Sequence, residues 1–295
     1  MQEFKRIMVG LDFSPLDSSL IEYAAFVANL CRVDKIYFIH IRKDLSLPAS
    51  IENVIIDNTV PIDERLKYEM SEKVKRLFPH YQYFNIECEV IEGSPTQELL
   101  HRIEVKQIDL LIAGRKPEIK GSGVVIKQIA RNSKCSIWFV PEKATTQIER
   151  ILVPTDFSKI SQNALEYGIF IAEKLKNTEI FVEHIYTMPQ MGSYIRYAQD
   201  KVLPLVENTN TDMYNEFMED IDTKNVSISP IFTLNESYAG AFLSEATATA
   251  KNVQLIIAGS QGKNAFSRLV LGSFTEKLLD ANNQFPMLIL KPKIA

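Results

Sequence analysis

Two periodicities alternate along the chain. Short, nearly continuous apolar runs bounded by Gly, Pro, Asp or Ser read as strands, and between them apolar residues recur every three or four positions, as on one face of a helix. In the first half this pattern predicts strands over 6–11, 35–41, 85–91, 108–113 and 136–140, and helices over 16–31, 63–77, 96–105 and 122–132. In the second half it predicts strands over 150–154, 179–185, 226–232, 254–258 and 287–290, with helical stretches that include 161–174 and 239–250. Strands that are apolar along their whole length are buried on both faces. Alternating with helices, they predict an α/β fold of parallel sheets covered by helices on both sides. Ligands of such sheets bind beyond the carboxyl ends of the strands, where the strand order reverses.

The pattern repeats because the sequence does. RIMVGLDFSPLDSSLIEYAAFVANLCRVDKIYFIHI, beginning at Arg6, aligns without a gap on RILVPTDFSKISQNALEYGIFIAEKLKNTEIFVEHI, beginning at Arg150, with 13 of 36 positions identical at an offset of 144. A unit of that size is a whole domain, and 295 residues divide into two domains on length alone. The expected domains are 1–143 and 148–295, joined by a linker within 142–149.

The stretch LIIAGSQGKNAFSRLVLGS, from Leu255 to Ser273, carries the strongest chemical signal. An apolar run ends on Gly259, Gly262 follows, and Gly272-Ser273 opens the next periodic segment, so the order is strand, glycine loop, helix. Glycines at 259 and 262 allow backbone amides to approach an anion with no Cβ in the way. Gly272 and Ser273 supply N–H groups and a hydroxyl at a helix start, where the macrodipole favours negative charge. The plain alternative is that Gly259 ends a strand and Gly272 breaks the chain. Four small residues in register on a strand-to-helix turn favour an anion site.

Composition excludes more than it identifies. A net charge of −4, 46% hydrophobic residues and no apolar run near membrane-spanning length describe a soluble chain with no membrane association and no feature suited to nucleic acid. No signal peptide is visible ahead of the first strand. Cys31, Cys88 and Cys135 are odd in number and widely spaced, as expected of reduced thiols packed as small hydrophobes, which implies a cytoplasmic protein with no cysteine-based metal site.

The opening VPTDFS at Val153, the strand ending EHI at Ile185, and G-x-x-G followed by nine residues and G-S (Gly259, Gly262, Gly272, Ser273) resemble a universal stress protein domain. The resemblance implies Rossmann-like domains, each a five-stranded parallel sheet of order 3-2-1-4-5. It also implies ATP, alone or with Mg, as the ligand of a domain with the full glycine motif. Carried over, Asp156 and the Thr155 backbone meet the adenine and ribose, and Ile185 lines the adenine. The glycine loop, with Gln261, Lys263, Ser273 and Phe274, surrounds the triphosphate.

The first half departs from the motif where it matters. Its loop is GRKPEIKGS, six residues shorter than GSQGKNAFSRLVLGS, and the inner glycine is absent although Gly121-Ser122 remains. A loop this short can hardly wrap a triphosphate, while Arg115, Lys116 and Lys120 can still attract an anion. The first domain is therefore expected to be a degenerate, structural copy. His40 and His184 occupy equivalent strand ends and are expected to pack as hydrogen-bonded residues rather than to do acid-base chemistry. For Asp12, helix capping is the expected role; for Asp156, ligand contact and capping compete. The Tyr and Met residues of YTMPQMGSYIRYAQ, after Tyr186, can cover an adenine ring, pack on the following helix, or both.

Two functions follow. The leading one is an ATP-binding stress-response regulator with the nucleotide in the second domain, adenine nucleotide and an unidentified protein as its partners, no catalytic residues, and at most slow ATP hydrolysis. A Walker lysine motif, a carboxylate pair for two metals and an activated nucleophile are all missing. The other is a nucleotide-independent interaction scaffold. A dinucleotide oxidoreductase is discarded, because GLDFSP and PTDFSK follow the first strands in place of a glycine fingerprint. The resemblance further implies an intramolecular pair of domains meeting at their last strands, with homodimerisation left open.

Overall fold

The computed structural model describes residues 4–45, 60–116, 122–188, 193–235, 240–262, 271–281 and 284–292. The chain divides into two compact units, one ending at Thr146 and the other running from Gln147 to Ala295.

The first unit contains β1 (Arg6–Leu11), α1 (Leu16–Leu30), β2 (Lys35–Arg42), α2 (Ile62–Leu77), β3 (Ile86–Glu92), α3 (Pro95–Val105), β4 (Leu110–Arg115), α4 (Ser122–Asn132) and β5 (Ser136–Pro141). Its strands lie in the order β3-β2-β1-β4-β5, and the pairs β1–β2, β1–β4, β2–β3 and β4–β5 are parallel. The second unit repeats this with β6 (Arg150–Thr155), α5 (Lys159–Leu175), β7 (Glu179–Tyr186), α6 (Ser193–Glu219), β8 (Ile228–Leu234), α7 (Gly240–Ala250), β9 (Leu255–Gly259), α8 (Ser273–Ala281) and β10 (Met287–Leu290). Its order is β10-β9-β6-β7-β8, again parallel between neighbours. Each unit thus has the 3-2-1-4-5 order, which reverses between its first and fourth strands.

The central strands are buried along their length, as their continuous apolar runs require: Ile7, Met8, Val9, Leu110, Leu111 and Ile112 in the first unit, and Ile151, Leu152, Val153, Leu255, Ile256 and Ile257 in the second, are all fully buried. The first helix of each unit approaches the fourth strand closely at a glycine. A Cβ at Gly114 would lie 2.5 Å from Leu16 Cδ2, and a Cβ at Gly259 would lie 2.5 Å from Ile160 Cγ2. Leu16 and Ile160 are equivalent residues of the repeat, so both units use the same glycine to seat the first helix on the fourth strand.

The edge strand β8 carries Pro230, which has no N–H to give to a ladder and is tolerated at the sheet margin. Cys88 and Cys135 are buried and Cys31 is half-buried, and none of the three is in a disulfide. Burial pushes the Cys88 thiol up to about 11, so it packs as a neutral side chain. Among the described residues, no helix is long and apolar enough to cross a membrane.

Candidate functional site

At the end of β6 the chain must leave the sheet and enter α5 within three residues. It does so through Phe157, whose φ of 58° is unusual for a bulky side chain, and the equivalent Phe13 after β1 has φ 61°. Such a residue costs of order 1–3 kcal/mol and persists only when its surroundings hold it. Here the Phe157 ring lies 4.4 Å from the His184 ring and 5.4 Å from Phe217 of α6. His184 is itself fixed by a 2.9 Å hydrogen bond between Nδ1 and the Thr155 carbonyl, as His40 is by a 3.0 Å bond to the Leu11 carbonyl. Both histidines therefore serve as hydrogen-bonded supports for the turn.

The turn aims Asp156. Its Oδ1 accepts from the Ser158 N–H at 3.1 Å. The helix is capped by Ser158 and Ser161, whose side chains each accept from the other's backbone N–H. The Thr155 hydroxyl turns inward to Ser161 Oγ at 2.9 Å and accepts from the Phe157 N–H at 2.9 Å, so the side chain of Thr155 is engaged within the turn. In the competition between capping and contact, the serines take the capping role at α5 and Oδ2 of Asp156 faces Gly262: a Cβ there would lie 2.7 Å from it. Asp12 does not cap α1 either. The N-cap position is Pro15, and Asp12 Oδ1 closes a turn by accepting from the Ser14 N–H at 3.1 Å.

The glycines of the loop, far apart in sequence, come together. The Gly272 N–H donates to the Ser260 carbonyl at 2.7 Å, and a Cβ on Gly272 would meet Gln261 Cα at 3.4 Å and Gly262 N at 3.6 Å. Gly272 is thus a closure point for the loop, and its N–H is already used; α8 begins at Ser273, where the first amides have no intrahelical acceptor. Thr275 Oγ1 ties the same turn to the Gly259 carbonyl at 2.7 Å. Gln261 is buried, whereas Gly262 and Ser273 are exposed. Gly259 owes its small size to the contact with Ile160. Lys263 lies outside the described residues.

Ile185 and Phe274 form a second cluster. A Cβ on Gly240, the first residue of α7, would lie 3.5 Å from Ile185 Cγ2, 3.6 Å from Asn235 Nδ2 and 3.8 Å from Phe274 Cε2. Gly240 and Asn235 escaped the sequence reading, although a glycine opening a helix after the third strand was a visible signal. Burial, reinforced by the Glu207 carboxylate, holds the neighbouring Tyr186 phenol above its ordinary value. The stretch after Tyr186 that was read as covering or packing includes the start of α6; residues 189–192 lie outside the described residues.

The equivalent place in the first unit is internally engaged. The Lys116 ammonium contacts Asp12 Oδ2, from the position that Gln261 takes in the second unit. Burial raises the Asp12 carboxyl, but the Lys116 and Ser14 hydrogen bonds and the Lys116 charge outweigh it and hold the group below its ordinary 3.8. A carboxyl depressed on folding stabilises the fold above its unfolded value, and the contribution is lost as pH falls through the folded one. Asp12→Asn should therefore lower the melting temperature slightly at pH 7, and that difference should close below pH 3.8. Melting curves of the two proteins across acid pH check this; a constant difference would rule out the Lys116 pairing as its source.

Comparison with known proteins agrees with this architecture. The family model described as "Universal stress protein family" matches residues 3–141 and again 147–291. The chain belongs to the universal stress protein family, with two copies of its domain. Among solved structures, a universal stress protein from Archaeoglobus fulgidus is 18% identical, over 98% of this chain and 97% of its own, with a TM-score of 0.58. One described as putative, from Pseudomonas aeruginosa, is 14% identical over 98% and 94%, with a TM-score of 0.64. A universal stress protein solved in complex with cAMP is 18% identical, over 48% of this chain and 100% of its own, with a TM-score of 0.36. No curated protein matches the chain.

Proposed function

We propose that this universal stress protein is an adenine-nucleotide-binding regulator that holds ATP in its second unit with little or no turnover. The observation that carries the reading is the meeting of Gly262 with the Asp156 carboxylate, beside the Gly272 closure and the start of α8. The loop glycines leave room for a phosphate chain against backbone amides and the positive end of the helix. Asp156 Oδ2 offers an acceptor for ribose hydroxyls, and Ile185, Gly240 and Phe274 provide an apolar wall for the base. Among the described residues no group of three or more His, Cys, Asp or Glu is placed to hold a metal, so magnesium would arrive with the triphosphate. Nucleotide occupancy would alter the surface that the second unit shows to a protein partner.

The first unit is read as the degenerate copy. Its aspartate is engaged by Lys116, which favours one nucleotide per chain. Mass spectrometry of small molecules released on denaturation, followed by calorimetric titration with ATP, tests both points. A stoichiometry near one is expected. Two equivalent sites would overturn the assignment, and a protein that neither carries nor binds nucleotide would be a scaffold.

Asp156→Ala separates binding from chemistry. Losing a charge-assisted hydrogen bond should weaken ATP by roughly ten- to a hundredfold, with little change in any hydrolysis rate at saturating ATP. Unchanged affinity with a large loss of saturated turnover would instead make Asp156 catalytic.

A further inference from the structure

Glu183 stands in the middle of β7 with no exposed surface, and its carboxylate has three neutral partners. Thr233 Oγ1 and Thr247 Oγ1 donate to Oε1 at 2.9 and 2.6 Å, and Ser244 Oγ donates to Oε2 at 2.5 Å. A buried carboxylate held only by hydroxyls is a costly way to fill a core, and well-packed apolar side chains of similar volume often do it at no loss of stability. The first unit shows that this fold accepts apolar residues at the positions of Glu183 and Ser244. The repeat places Ile39 at the position of Glu183, strand register places Ile91 at that of Thr233, and the two eleven-residue helices place Leu99 at that of Ser244 and Arg102 at that of Thr247, where it pairs with Glu89, the register partner of Ile39. A fully buried carboxylate held by hydroxyls, rather than by cations as Glu89 is, belongs to the unit with the intact glycine motif.

Its connections lead to the base wall. Glu183 lies two residues before Ile185 on the same face of β7. Thr233 is the register partner of Ile185 on β8. Ser244 and Thr247 lie on α7, whose first residue, Gly240, sits against Ile185 and Phe274. One carboxylate thus ties together the strand that carries Ile185, the strand beside it and the helix that closes on it.

We infer that Glu183 is a positioning residue for nucleotide binding: with Thr233, Ser244 and Thr247 it sets the spacing of Ile185, Gly240 and Phe274 that receives the base. The inference rests on the nucleotide reading of this site and adds to it a residue that touches no ligand. Importing the first unit's apolar pair, Glu183→Ile with Ser244→Leu, removes the tie while keeping the core filled. Glu183→Gln keeps it, because the amide oxygen still accepts from the two threonines and the amide N–H can donate to Ser244.

The test measures ATP affinity and melting temperature of the full chain. The double variant is expected to melt no lower than the native protein yet bind ATP about tenfold more weakly, as a wall displaced by a fraction of an ångström implies, while Glu183→Gln stays within roughly threefold. Affinity of the double variant within twofold of native, or a loss that Gln does not rescue, overturns the inference. So does a loss matched by a fall in melting temperature. If the double variant does not fold, Thr233→Val, which removes one hydroxyl, should still weaken ATP, and unchanged affinity overturns the inference. A native protein that binds no ATP refutes the nucleotide reading by itself. In that case amide hydrogen exchange of the free proteins decides: faster exchange at residues 183–187 and 240–244 in the double variant supports the tie, and unchanged exchange refutes it.

Discussion

Gly262→Val is expected to reduce ATP binding by about a hundredfold or more while leaving the protein folded. The reason lies in where a side chain would go. A Cβ on Gly262 would lie 2.7 Å from Asp156 Oδ2 and 3.7 Å from its Cγ, so valine must drive the carboxylate from its position. On the proposed reading, its methyl groups would also occupy space beside Asp156 that the phosphate chain needs. Gly262 does not have a left-handed φ, so the substitution adds no backbone strain. Because the residue is exposed, the core is untouched. Calorimetric titration with ATP and a melting curve on the same variant measure the two effects separately. Binding within threefold of native would show that this face of the loop is not where the phosphates lie.

Gly259→Val, three residues earlier in the same motif, should fail in the opposite way. A Cβ there meets Ile160 Cγ2 at 2.5 Å and the Ile160 backbone carbon and oxygen at 3.3 Å, and backbone cannot swing aside as a flexible side chain can. Overpacking of this kind costs about 1–3 kcal/mol, or several degrees in melting temperature for a unit of this size. The damage would fall on the contact between α5 and β9, a strand inside the sheet. Gly114→Val should be milder in the first unit, where the nearest atoms belong to the side chains of Leu16 and Leu20, which can yield. A double-mutant cycle of Gly259→Val with Ile160→Ala checks the cause: the truncation removes the side-chain part of the clash and should recover part of the loss. Full additivity of the two changes would place the defect elsewhere.

The elements were legible where pattern and burial coincide. Strands such as Arg6–Leu11 and Met287–Leu290 fall where the apolar runs predict them, because most of their side chains are buried. Legibility failed at the margin of the second sheet. The strand expected over 226–232 is Ile228–Leu234, since Val226 is drawn into a turn by its N–H bond to the Thr223 carbonyl, and an edge strand is constrained on fewer sides. The 27-residue helix α6 was not foreseen as one element, because Pro204 interrupts it and its polar, half-exposed surface carries a weak period.

The duplication, the α/β class and the glycine spacing that distinguishes the two halves are properties of the sequence by itself, since they depend on residue identity and local periodicity. What each residue of that motif touches is a matter of tertiary structure. Gly259 and Gly262 look alike in sequence, yet one is small because a helix presses on it and the other because a carboxylate faces it. Glu183 likewise reads as one polar residue in an apolar run until Thr233, Ser244 and Thr247, 50 to 64 residues further on, are brought to its oxygens. Local pattern carries no information about such distant partners, because the contacts exist only once the strands are in register and the crossover helix has been laid over them.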